Sequence, residues 1–163
     1  MPTQTPERAP AMTPALERQT ARLGGEYLLR SLAVLRDAAG GDLLACVVLM
    51  AVIQANVAHL DEPTAAWAPD DGGAPPDTLR RPISVLALAH SLRMPYETMR
   101  RTVARLSRDG LLVRTGDGVV APGAALADAG FEKGRQANWT NLRRLVAQLD
   151  RAGLADALRS PPR

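Results

Sequence analysis

Aromatic residues are scarce, 3% of a 163-residue chain, with two Trp, two Tyr and one Phe. Because 46% of the residues are hydrophobic, a core must be built mainly from Leu, Val and Ala, which points to helices. One cysteine excludes an internal disulfide framework and fits a reducing compartment. Nothing basic stands beside Cys46 in the sequence to activate its thiol, so it reads as a small buried hydrophobe rather than a redox sensor. The two histidines, His59 and His90, lie far apart and with Cys46 give no metal-ligand spacing. A Gly-rich phosphate loop, a paired metal motif and a Gly-x-Ser-x-Gly elbow are all missing, so neither an enzyme nor a cofactor is expected. An apolar core is also missing from the Pro- and Thr-rich N-terminus, which argues against a secretory signal and for a cytoplasmic protein. The longest apolar run, Leu43 to Ile53, would span roughly 16 Å as a helix, well short of the roughly 30 Å of a bilayer core. Gln54, Asn56 and His59 follow at once, so no membrane span is expected. Lysine is limited to Lys133 among twenty basic residues. A GC-rich genome produces that bias as readily as phosphate binding does.

Taken in order, residues 1–12 carry Pro2, Pro6 and Pro10 and read as a disordered arm with Arg8 its only basic side chain. Residues 13–60 read as a helical region. Thr13-Pro14 caps a helix to about Ala39, with Leu16, Leu23, Tyr27 or Leu28, and Leu32 or Leu35 on its apolar stripe. Gly24-Gly25 can bend or weaken it and Gly40-Gly41 ends it. Asp42 can cap a second helix from Leu43 to Leu60. A helix apolar all round must be surrounded, and so small a chain has little to surround it with. The reading is therefore a dimer interface at this helix. Residues 61–79 form an acidic linker holding Pro63, Pro69, Gly72-Gly73 and Pro75-Pro76, which cannot be a regular element. After Pro122-Gly123, residues 124–163 read as C-terminal helices, the longer from Phe131 to about Arg151. Trp139, Leu142, Val146 and Leu149 mark its stripe and Gly153 its stop.

The stretch from Ile83 to Ala121 organises the chain. Ser84 caps a short helix with Val85, Leu88, Ala89 and Leu92 on one face. Pro95 suits the start of a second helix, Tyr96 to Asp109, with Met99, Val103 and Leu106 as its apolar seam and Glu97, Arg100, Arg101, Ala104 and Arg108 roughly opposite. Gly110 can end it. Leu111 to Val113 and Val119 to Ala121 read as two short strands around Thr115-Gly116-Asp117-Gly118, where Asp-Gly is a hairpin signal. Two helices, a tight turn and a hairpin make a winged helix-turn-helix over residues 80–123. From Arg80 to Arg114 eight arginines against two carboxylates leave a local charge of +6, while five acids precede them in the linker. That polarity is the electrostatic argument for nucleic acid.

Leu88-Ala89, Leu92-x-Met94-Pro95-x-x-Thr98-Met99-Arg100-Arg101 and Leu106-x-x-x-Gly110-Leu111-Leu112-x-Arg114 resemble the bacterial winged-helix regulators of the GntR, IclR and MarR kinds, over about a quarter of the chain. Ala89 stands where the family has a small residue between the two helices. Arg93 replaces the glycine often found in the turn, which implies slight strain there, and Pro95 replaces a serine. The local motif is more similar to GntR and IclR heads, whereas helices before and after the wing resemble the MarR dimer layout. The expected fold is thus mainly α, a winged helix-turn-helix with flanking N- and C-terminal dimerisation helices.

The resemblance implies a homodimeric transcriptional regulator that binds double-stranded DNA with the helix from Tyr96 in the major groove. Tyr96, Glu97, Arg100 and Arg101 are candidates for base or phosphate contact, and Thr98 for phosphate. Arg100 or Arg101 could take guanine O6 and N7. Glu97 could accept from cytosine N4 or orient Arg101 one turn on. Arg105 joins this basic set, and Arg114 in the hairpin could reach phosphate or the minor groove. A dimer implies an inverted repeat with half-sites about one turn apart. Two other readings stand beside this one. One is a protein-binding adaptor that uses its winged helix and apolar helices. The other is a ligand-sensing regulator with a small-molecule effector in the helical body.

Overall fold

A computed structural model describes residues 13–38, 41–60, 76–155 and 158. The expected N-terminal arm, and the acidic linker up to residue 75, lie outside them. The described chain is mainly helical with one small antiparallel sheet. In order come α1 (Pro14–Ala38), α2 (Leu43–Val57), a single 3-10 turn (Asp77–Leu79), α3 (Val85–Ser91), α4 (Tyr96–Arg108), β1 (Val113–Thr115), β2 (Gly118–Val120), α5 (Gly123–Leu126) and α6 (Ala129–Arg151). No helix among the described residues is long and apolar enough to cross a membrane. Two compact units emerge. Of the described residues, the first holds those up to Ser31 together with those from Gln136 onward, and the second holds those within Leu32–Arg135.

Local chemistry sets the ends of the helices. The Thr13 hydroxyl accepts from the Leu16 amide at the start of α1. Asp42 accepts from the Ala45 amide at 3.1 Å and Ser84 from Ala87 at 3.1 Å, so two N-cap side chains satisfy amides that α2 and α3 leave open. At the far ends, Gly41 (φ 86°) and Gly110 (φ 76°) adopt the left-handed backbone that closes a helix. The α3 C-terminus uses the same device with a different residue. Met94 donates its amide to the Ala89 carbonyl at 2.9 Å while Arg93 sits at φ 51°. The strain implied by an arginine in place of glycine is thus visible in the backbone.

α4 packs against both α2 and α3. Met99, Val103 and Leu106 are buried, together with Thr102, and meet Leu88 and Ala89 of α3 in one aliphatic cluster. Ala45, Cys46, Val48, Leu49 and Val52 complete that cluster from α2. Here the structure departs from the sequence reading. The chain itself covers the buried side of the apolar run with α3, α4 and β2, so the run does not by itself demand a second subunit. Hydrophobicity states how much must be covered and not by whom.

The hairpin is shifted from its expected position. Val113 pairs with Val120, Arg114 with Val119 and Thr115 with Gly118, leaving Gly116-Asp117 as a two-residue turn. Leu112 and Ala121, expected in strands, are buried just outside them. Ile83 adds an unforeseen bridge on the other side of β2 by exchanging backbone hydrogen bonds with Val119 at 2.9 and 3.2 Å. Asn56, on the buried side of α2, ties this layer down. Its amide group donates to the carbonyls of Arg81 (2.7 Å) and Val119 (3.2 Å), and its oxygen accepts from the Ala121 amide (2.9 Å).

The other unit contains an antiparallel helix pair from α1 and α6. The Tyr27 hydroxyl donates to the Asn138 side-chain oxygen at 2.9 Å. Leu23 and Leu154 are buried, and Gly153 (φ 67°) ends α6. α1 is continuous through Gly24-Gly25. Trp139, Leu142 and Val146, expected as the packed stripe of α6, are instead exposed.

Candidate functional site

The outer side of α4 is the surface that the buried seam leaves over. With 3.6 residues per turn, burial of Met99, Val103 and Leu106 turns Glu97, Arg101, Ala104 and Arg108 to the opposite side, in line along the axis. Glu97, Arg101 and Arg108 are exposed, and Ala104 between the two arginines leaves a shallow step in that row. The sequence reading had placed Arg108 on this side without naming it as a contact residue, yet the i, i+7 spacing from Arg101 puts both on one line.

Each residue expected at the site has a definite place. Tyr96 opens α4 and is 47% exposed. Thr98 is half-buried, and its carbonyl accepts from the Thr102 hydroxyl at 2.9 Å. Glu97 takes Arg100 as its partner, not Arg101. The Arg100 Nε lies 3.0 and 3.2 Å from the two carboxylate oxygens, which share its one N–H, and a terminal guanidinium nitrogen lies 2.9 Å from one of them, one turn along the helix. Hydrogen bonding from Arg100 holds the Glu97 carboxyl below its ordinary range, and the same bond pushes the guanidinium pKa up. The pair therefore stays doubly charged at neutral pH. Arg101 makes no ion pair with any described residue and remains exposed. Arg114 stands exposed on β1.

Arg105, expected in the basic set, has an internal partner. Its guanidinium is bound to Asp42, the carboxylate that caps α2, which draws it to the flank of α4. Arg80, counted in the local positive charge, is also engaged inward. Its side chain is 1% exposed and its Nε donates to Asp77 at 3.0 Å. The same Asp77 oxygen accepts from the Gly123 amide at 2.7 Å, so an acid assigned to a solvated linker helps to fix the start of α5. A net local charge counts arginines without showing which are spent on internal partners. Arg81, Arg93, Arg101, Arg108 and Arg114 remain as exposed cations before α3 and along the turn, helix and hairpin.

Cys46 is 1% exposed, and burial pushes its thiol pKa up, which makes the thiolate harder to form. Among the described residues no three His, Cys, Asp or Glu side chains gather as a metal site. An open, polar hollow on the α1–α6 pair is lined by Gln19, Arg22, Leu23, Gln148, Arg151 and Ala152. Comparison with family models, with curated proteins and with solved structures returns no match to this chain.

Proposed function

We propose that the chain is a sequence-specific DNA-binding transcriptional regulator acting in the cytoplasm, with α3, α4 and the β1–β2 hairpin working as a winged helix-turn-helix. The observation that carries this reading is the row Glu97, Arg101, Ala104 and Arg108 on the outer side of α4, opposite a fully buried seam. A helix of this width enters the major groove of B-DNA, where arginine can hold guanine O6 and N7 with two hydrogen bonds. Arg101 is free to do so because Glu97 is occupied by Arg100. Glu97 and Arg100 together offer one acceptor edge and one cation to the same groove. Arg93 in the turn and Arg114 on the hairpin would bracket the helix with phosphate contacts, which position the protein without reading sequence.

Selection from a pool of random duplexes, followed by anisotropy titration at several salt concentrations, tests this. A base-reading Arg101 should lose on the order of 1–3 kcal/mol of binding on Arg101→Ala and relax preference at one base pair. A phosphate-contacting Arg114 should weaken binding on all sequences and flatten the salt slope by about one unit. No enrichment from the pool, or unchanged affinity in an Arg100→Ala/Arg101→Ala chain, would remove α4 as the reader.

A further inference from the structure

One short pattern, Gln-x-x-Arg, occurs on both helices of the α1–α6 pair, as Gln19 with Arg22 and as Gln148 with Arg151. Residues three apart share a helix face, so each pattern presents a carboxamide beside a guanidinium. All four side chains line the same open hollow, together with Leu23 and Ala152. The helices are antiparallel, so the two patterns run in opposite directions and supply donors from both walls. Leu23 is buried, Gln19 and Gln148 are half-buried, and Arg22 and Arg151 stand exposed at the rim.

Little inside the protein uses these donors. The side chains of Gln19 and Arg151 make no hydrogen bond or ion pair with any described residue. Arg22 approaches Glu26 only to 3.8 Å, beyond hydrogen-bond range. Glu26 is committed to Arg30 at 2.6 Å, and that bond, with help from Gln148, holds its carboxyl below the ordinary range. The end of α6 is also closed. An open helix C-terminus would oppose an anion. Here the carbonyls of Gln148, Leu149 and Asp150 accept from the amides of Ala152, Leu154 and Gly153 at 3.0, 2.9 and 3.0 Å. Two guanidiniums and the Gln19 carboxamide are left facing the hollow without an acceptor.

From this arrangement we infer that the hollow binds a phosphate dianion, carried as the terminal group of a small phosphorylated molecule. The inference does not rest on DNA binding. Charge selects the group, because two guanidiniums match a phosphate monoester, which carries about −1.5 to −2 at neutral pH. A backbone phosphodiester carries one charge and leaves one arginine unmatched. Shape agrees, since arginine grips a phosphate edge with two parallel bonds and a tetrahedral group offers edges to both walls. The hollow holds about 260 Å³, room for a phosphate and a small attached group and just under the roughly 300 Å³ at which drug-sized pockets begin. Its polar lining and open mouth separate it from an enclosed apolar effector cavity.

Titration of the full chain with inorganic phosphate, followed on the side-chain amide signals of Gln19 and Gln148 by NMR, tests this. Both signals should shift saturably at about pH 7.5, with a dissociation constant below about 1 mM. Binding should weaken several-fold at about pH 5.5, where phosphate is mostly the monoanion. Sulfate, doubly charged throughout, should bind alike at both values, which separates titration of the ligand from titration of the protein. Arg151→Gln should weaken binding on the order of tenfold or more with unchanged helical circular dichroism. Arg143→Gln removes the same charge from an exposed position roughly two turns along α6 and should leave binding intact. Shifts that fail to saturate, chloride acting as strongly as phosphate, or equal losses in the two variants would overturn the inference. So would equal competition by a duplex lacking terminal phosphates, which would assign the hollow to the DNA backbone.

Discussion

Asp42 and Arg105 share a carboxylate with two duties. One oxygen caps α2 by accepting from the Ala45 amide, and the other holds the Arg105 guanidinium from α4. The amide bond first, and then Arg105, keep the Asp42 carboxyl below its ordinary range. A lowered folded pKa means that the stabilisation is complete above the unfolded value, near 4, and is lost as pH falls through the folded value. Wild type should therefore be more stable than Asp42→Asn at pH 7, and the gap should close on acidification below about pH 4. Glu26 and Glu97 titrate in the same window but in both proteins, so they cancel in the difference. Urea unfolding from pH 7 to the acid limit measures it. A gap independent of pH would show that the charge of Asp42 plays no part.

Arg93 occupies the left-handed position that closes α3, at φ 51°. That backbone costs a residue with a Cβ roughly 1–2 kcal/mol, part of which glycine gives back through its greater unfolded-state freedom. Arg93→Gly should gain about 0.5–1 kcal/mol in denaturant unfolding. Arg93→Val should lose stability, since a branched Cβ fits this backbone worst. If Arg93→Gly also weakens duplex binding, the strained turn is retained for its side chain.

Asn56 is fully buried and has all three side-chain hydrogen bonds satisfied. Asn56→Leu keeps the volume but strands the Ala121 amide and the Arg81 carbonyl, which should cost about 2–4 kcal/mol. Asn56→Asp keeps the acceptor for Ala121 but sets carboxylate oxygens against two carbonyls, so it should be worse than leucine at neutral pH. Thermal melts of both variants rank the two effects. Equal losses would mean that packing, not polarity, holds the site.

Gly118 is required by a close approach. A Cβ there would lie 2.3 Å from the Ile83 carbonyl oxygen and 2.6 Å from its carbon, both backbone atoms. Gly118→Ala should break the Ile83–Val119 rungs and cost on the order of 2–3 kcal/mol. Gly116→Ala, with nothing within 4 Å, is the control and should be far milder.

Much of the second unit was legible because its signals are local. Ser84 and Asp42 cap where their side chains can reach open amides, and Met99, Val103 and Leu106 face inward at helical spacing. Contacts between distant segments were not legible. Nothing near Arg105 announces Asp42, and nothing near Asp77 announces Gly123. One signal was available and unused. Asn56 continues the line Ala45, Val48, Leu49 and Val52 on α2, so helical spacing alone places a polar side chain in the core, where it must find partners. The α6 stripe was legible as apolar, yet periodicity gave no sign that it would face outward.

The bond from Ala121 to the Asn56 side chain also gives the molecule a built-in clock. An amide exchanges its proton with solvent only when its hydrogen bond opens, and Ala121 is 0% exposed. Edge amides of a two-stranded hairpin ordinarily exchange through cheap local fraying. Here exchange at Ala121 requires α2 to part from the segment that follows β2, so its protection should match the slowest amides of α2 and α4. Deuterium uptake at this one backbone position then reports how often the hairpin leaves the helical core.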